Sequence, residues 1–205
     1  MNIAQQSVEL MWITQDPEKQ IEKAGRTCYK SEGMITENSA GAFAKKMRDN
    51  GHHAMIEHAL ASLRIVTDRG ITHEIVRHRI ASFAQESTRY CNYSSDKFGN
   101  ECTFIEPPNL TPLQQVMWRK SCEDAEDSYF RMLKMGCSPQ IARSVLPTCL
   151  KTEIIMTANL REWRHFIALR GSKAAHPQIR VIAASVLSLL QSHAPNVFGD
   201  LEVIL

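Results

Sequence analysis

The chain has 205 residues, enough for one domain with a sizeable core. Its 24 Lys and Arg against 22 Asp and Glu give a formal net charge of +2, too balanced for a protein built chiefly to bind nucleic acid. A hydrophobic share of 43% excludes a disordered chain.

The opening residues, MNIAQQSVELMW, lack a basic start followed by a long apolar core, so they do not read as a signal peptide. No later apolar run approaches a membrane span. Asp16-Pro17 reads as an N-cap and first helical residue, opening a short helix through Ala24. Ser39 to Arg48 predicts a second helix, closed by Asn50-Gly51. Leu60 to Thr67 is β-branched with partial alternation and predicts a strand. Ile71 to Arg79 reads as a helix with Ile71, Ile75 and Val76 inward and Arg77-His78-Arg79 at its C-terminal end. Turn residues after Tyr90, CNYSSDKFGNE, predict a loop. Thr111-Pro112 opens a long helix to about Met135, with Gly136 as its stop. Ser138-Pro139 starts a short helix, and Thr148 to Thr157 reads as a strand. Asn159 caps a helix carrying Arg161, Trp163, His165, Phe166 and Arg170. A last helix spans Ala174 to Ser192, with Pro177 near its start. The sum is an α+β class chain: a helix-rich single domain, 1–205, around a small, mainly antiparallel sheet.

The six cysteines form no CxxC pair, which argues against a zinc site or disulfide scaffold and fits a reducing cytoplasm. The most informative run is RHRIASFAQESTRY, from Arg77 to Tyr90. Basic groups repel, so a fold gathers them for an anion, and guanidinium forks suit phosphate oxygens. Ser82, Ser87 and Thr88 can add neutral donors. A solvated basic face is the alternative, but Ile80, Ala81, Phe83 and Ala84 lie among the charges. Elsewhere, His52, His53, Glu57 and His58 in GHHAMIEH match neither HExxH nor HxxEH, so no metal is assigned. Cys149 reads as a small buried hydrophobe on a strand, and Ser87 lacks the turn of a nucleophilic serine.

Arg77-His78-Arg79, seven residues, then Ser87-Thr88-Arg89-Tyr90 resembles the flavin-dependent thymidylate synthases, which carry an RHR triplet, a seven-residue gap and Ser-x-Arg, usually with Tyr following. Two later segments extend the resemblance. Arg143 in ARSVLP matches a nucleotide-binding arginine, and NLREWRHFIALR matches the family's Asn-x-Arg helix. The resemblance, from about Arg26 to Arg180, implies flavin contacts from His52, Ala54, Arg77, His78, Arg79, Gln85, Asn159, Arg161 and His165. It implies nucleotide contacts from Glu74, Arg77, Gln85, Glu86, Ser87, Thr88, Arg89, Arg143 and Arg170, with Arg89 on the phosphate and Arg170 catalytic beside the uracil. AAHPQIR departs from the family's form at His176 and Gln178, which receive no role.

What the resemblance implies is reductive methylation of dUMP to dTMP. FAD is the cofactor; methylenetetrahydrofolate and NADPH are co-substrates. It also implies a cytoplasmic homotetramer with active sites between subunits, without nucleic acid or membrane. No GxGxxG precedes a helix, so FAD must occupy a non-Rossmann pocket. A nucleic-acid module using the basic run and a metal-dependent hydrolase using the histidines are the competing readings.

Overall fold

A computed structural model describes residues 1–95 and 99–205. Six strands and eight helices occur among them: β1 Asn2–Ala4, β2 Ser7–Ile13, α1 Pro17–Tyr29, α2 Ser39–Asp49, β3 Leu60–Asp68, α3 Arg69–Ile75, β4 Ala81–Gln85, β5 Thr103–Ile105, α4 Pro112–Lys134, α5 Pro139–Ala142, β6 Lys151–Asn159, α6 Leu160–Arg170, α7 Pro177–His193 and α8 Pro195–Phe198. A four-stranded sheet has the order β2-β3-β6-β4. Its neighbours join end to start: Thr14 N–H donates to Leu60 O at 2.9 Å, Leu160 N–H to Ala59 O at 2.8 Å, and Glu86 N–H to Glu153 O at 2.9 Å. Those pairings make it antiparallel. Strands β1 and β5 form a separate parallel pair, Asn2 opposite Thr103 and Ala4 opposite Ile105. The fold is thus helix-rich α+β around a small antiparallel sheet.

The chain divides into two compact units. The first comprises Met1–Gln6, Val66–Ile75 and Ala84–Ile154. Its core gathers Tyr93, Cys102, Phe104, Cys122, Tyr129 and Leu150, with Trp118, Leu133, Leu146 and Cys149 packed against them. Helix α4 is closed at both ends by its sequence. Thr111 Oγ1 accepts from Gln114 N–H while the Gln114 side chain accepts from Thr111 N–H, a reciprocal capping box. Gly136 follows at φ +87°, a left-handed turn that glycine takes without strain. Thr111→Ala removes the box and is expected to lower stability by about 0.5–2 kcal/mol, read by chemical denaturation.

The second unit comprises Ser7–Ile65, Val76–Phe83 and Ile155–Leu205. Helix α6 packs against α7 and α1 against α2. In α6 the apolar residues Leu160, Trp163, Phe166 and Ile167 are fully buried. Their spacing leaves Arg161, His165 and Ala168 together on the exposed face, three or four residues apart. Trp163 Nε1–H also donates to Ala61 O in β3 at 3.1 Å, which ties the helix to the sheet.

Several sequence expectations change. The predicted helix to Arg79 stops at Ile75, and Arg77-His78-Arg79 forms the connector into β4. Asp68 Oδ1 accepts from Ile71 N–H at 2.7 Å and starts α3 early; beyond Ile75, Val76 is exposed rather than inward and His78 alone turns in. Asp16 holds the N-cap position of α1 at φ 46° with no side-chain cap bond, and α1 runs on to Tyr29. The strand expected from Thr148 begins at Lys151, leaving Cys149 in the preceding turn, its Sγ 3.6 Å from Cys122 Sγ. The last long helix begins at Pro177, with His176 as its cap. The sequence carries no recognised signal for strands β1, β2, β4 and β5 or for the short helix α8. Residues 96–98 of the predicted loop lie outside the described residues.

Candidate active site

The candidate residues fall into two groups, one in each unit. In the second unit, β6 runs straight into α6. Asn159 is the hinge, its Oδ1 accepting from Glu162 N–H at 2.8 Å. That bond fixes the first turn of the helix. Arg161 and His165 then project into a cavity of about 580 Å³ whose wall also includes His53, Ile80, Asn159 and Leu201. His52 and Ala54 are exposed at the turn just before, so His53, not His52, reaches the cavity wall. Arg161 pairs with Glu57 across the rim.

The RHR connector alternates. Arg77 and Arg79 are exposed, while His78 is only 3% exposed. His78 Nδ1 lies 2.8 Å from Glu162 Oε1, and Arg170 Nε donates to His78 Nε2 at 3.3 Å. The ring also rests on Phe166, centroids 5.0 Å apart, and beside His165 at 5.3 Å. Burial holds His78 below the ordinary imidazole value; the Glu162 carboxylate opposes this, and the charges of Arg170 and His165 add to it. The Arg170 N–H facing Nε2 likewise favours the unprotonated form of that nitrogen. His78, Glu162 and His165 each bring one potential metal ligand within 4.8 Å of the others. Both nitrogens of His78 are already engaged, however, and the Arg170 guanidinium beside them repels a cation.

In the first unit, Ser87 to Arg89 forms a tight turn after β4. Tyr90 and Cys91 N–H both donate to Ser87 O, and Ser87 Oγ accepts from Arg89 N–H at 3.4 Å. Thr88 is buried, and its Oγ1 accepts from Arg143 at 2.9 Å. That bond brings the ARSVLP arginine to the Ser-Thr-Arg turn across 55 residues of sequence. Arg89 is exposed, its guanidinium 5.5 Å from the Tyr90 ring. Gln85 is oriented by two hydroxyls, donating to Thr72 Oγ1 at 2.9 Å and Thr152 Oγ1 at 3.3 Å. Glu86 is held by Tyr93 Oη at 3.1 Å and Lys151 Nζ at 3.5 Å. Glu74 is half-buried in the last turn of α3.

Chemically, the second unit offers a cavity rimmed by a guanidinium and imidazoles with apolar Ile80 and Leu201 in its wall. That donor set fits a planar ring system carrying anionic groups, as FAD does. The first unit offers a hydroxyl-rich turn with exposed and half-exposed arginines, which fits a phosphate. Sequence reasoning missed Glu162, Thr72 and Thr152. Each acts by orienting a residue that was singled out, and none carries a motif of its own.

The sequence profile of the thymidylate synthase complementing protein family matches residues 9–196. The chain is 33% identical over 202 residues to a flavin-dependent thymidylate synthase of Geobacter sulfurreducens, covering 94% of this chain and 85% of that one. It is 35% identical over 204 residues to the enzyme of the same name from Mycobacterium avium, covering 89% and 79%. Its fold is similar to that of the UMP/dUMP methylase PolB from Streptomyces cacaoi, solved with 5-Br dUMP, at a TM-score of 0.83 and 21% identity over 97% of this chain and 96% of that one. The match of the family profile over residues 9–196 and relatives 33% and 35% identical over most of the chain show that it belongs to the thymidylate synthase complementing protein family.

Proposed function

We propose that this protein is a flavin-dependent thymidylate synthase, which methylates dUMP reductively to dTMP. The carbon comes from methylenetetrahydrofolate, and NADPH is the reductant, through FAD. The observation that carries this reading is the sorting of the candidate residues. Arg161 and His165 share one cavity with the RHR connector beside it, while Arg143 is bonded to the Ser-Thr-Arg turn. FAD, when bound, supplies hydride carriage that no side chain can provide. The residues bind and polarise. Arg161, His165 and Asn159 hold the flavin at the cavity, with His52 and Ala54 on the turn that precedes it and Arg77, His78 and Arg79 beside them. Arg89 holds the nucleotide phosphate with Ser87 beside it; Thr88, Arg143, Glu86, Glu74 and Arg77 contact the same nucleotide, Gln85 reaches both flavin and nucleotide, and Arg170 meets the uracil.

We further propose that residues 1–205 act as one catalytic domain in a cytoplasmic homotetramer with active sites between subunits. Small size supports this, since one chain must otherwise enclose flavin, nucleotide and folate by itself. No helix among the described residues is long and apolar enough to cross a membrane.

The test is the purified protein. It is expected to retain FAD, seen as flavin absorbance and released cofactor, and to bind dUMP. A colourless protein that gains no flavin when FAD is added refutes the reading. Arg89→Lys keeps the charge but loses the planar fork. It is expected to weaken dUMP binding by about tenfold or more, as for loss of one charge-assisted bond. Titration calorimetry showing wild-type affinity removes Arg89 from the phosphate.

A further inference from the structure

Glu162 has no role in the reading above, yet it is buried beside two residues that do. The chemistry of the three groups fixes their protons. An arginine Nε–H can only donate, so the His78 Nε2 facing it at 3.3 Å must be bare. A neutral imidazole then carries its proton on Nδ1, and Nδ1–H donates to Glu162 Oε1 at 2.8 Å. Anion, neutral ring and cation form one line, and only one tautomer satisfies both contacts. Glu162 is 8% exposed, and the His78 ring packs against Phe166 with centroids 5.0 Å apart.

We propose that Glu162 is a positioning residue: through the buried His78 imidazole it fixes the orientation of the Arg170 guanidinium. Resting on the thymidylate synthase reading, it deepens it by naming what aims the arginine assigned to the pyrimidine. Without Glu162, the buried Nδ1–H has no acceptor, which is costly. Moving the proton to Nε2 relieves that cost but sets an N–H against the Arg170 N–H. The two donors repel, and the guanidinium leaves its place. Glu162→Gln keeps an acceptor for Nδ1–H and removes the charge; Glu162→Ala removes both. The groups facing the His78 ring are Glu162, Arg170, His165 and Phe166, and the substitutions leave the last three in place.

The experiment uses the full-length, FAD-loaded enzyme and both variants. Nitrogen NMR on labelled histidine reads the His78 tautomer, and steady-state assays at saturating FAD give kcat and KM for dUMP. The wild type is expected to hold the proton on Nδ1. The alanine variant is expected to shift it toward Nε2 and to lose about tenfold or more in kcat with a smaller change in KM, the glutamine variant falling between. A purely structural glutamate predicts otherwise: kcat tracking the folded fraction with the tautomer unchanged. That outcome overturns the proposal, as does a wild-type proton on Nε2 or an alanine variant with unchanged kcat. The tautomer measurement needs no turnover. A protein that forms no thymidylate but holds the Nδ1 proton therefore rejects the activity and leaves the Glu162–His78–Arg170 arrangement standing.

Discussion

Arg170→Ala is expected to lose about 10²–10³-fold in thymidylate formation while FAD binding stays largely intact. Carbon 5 of uracil is a weak nucleophile until electron density enters the ring. A guanidinium held beside nitrogen 3 and the ring carbonyls stabilises the negative charge that develops there, and a donor fixed in advance needs no reorganisation. No protein nucleophile is then required. Arg170 is the last residue of α6, and the chain turns away at once. A Cβ on Gly171 would lie 2.6 Å from Ile167 O, so this close approach admits only glycine. The competing account is a structural arginine, since cations are favoured at a helix C-terminus by about 0.3–1 kcal/mol. The two differ in what alanine changes. A structural role lowers the melting temperature and leaves the turnover of folded protein near normal. Turnover, FAD content and melting temperature measured together on one preparation separate them, and near-normal turnover ends the catalytic assignment.

Trp163→Ala is expected to cost about 3–5 kcal/mol of folding stability. The indole is fully buried, meets Phe166 edge-on at 5.5 Å, and donates its N–H to Ala61 O. Truncation leaves a cavity and removes that hydrogen bond. Against a total stability of roughly 5–15 kcal/mol, this is a large share. Because α6 carries Arg161, His165 and Arg170, its loosening should weaken flavin retention as well. Trp163→Phe keeps much of the packing and loses the hydrogen bond, so it should fall between. Urea unfolding that places the alanine variant within about 1 kcal/mol of wild type contradicts the packing described for α6.

Local chemistry made much of this fold legible. The Thr111-Pro112 start and Gly136 stop of α4 lie within a few residues of what they control, and so does the Asn159 cap of α6. The Leu60 strand was readable because β-branched residues cluster there. The connector after α3 was misread because Ile71, Ile75 and Val76 have helical spacing, while the helix is ended by His78 meeting a glutamate 84 residues later. Strands β1 and β5 are three residues each, too short to show a period, and β4 hides inside the basic run. The site followed the same division. The motif residues were visible from spacing and resemblance, whereas Glu162, Thr72 and Thr152 act across long sequence separations. The Arg143 contact with Thr88 likewise joins two segments that sequence could only match one at a time.

The central claim is that this chain builds the methyl group of dTMP on dUMP with a flavin. The most direct measurement supplies purified, FAD-loaded protein with dUMP, NADPH and methylenetetrahydrofolate labelled on its methylene carbon, and follows the label. The account predicts labelled dTMP and tetrahydrofolate, with formation abolished when FAD is stripped and restored when it is returned. No labelled dTMP from a folded, FAD-loaded protein, or equal formation with the flavin removed, would contradict it.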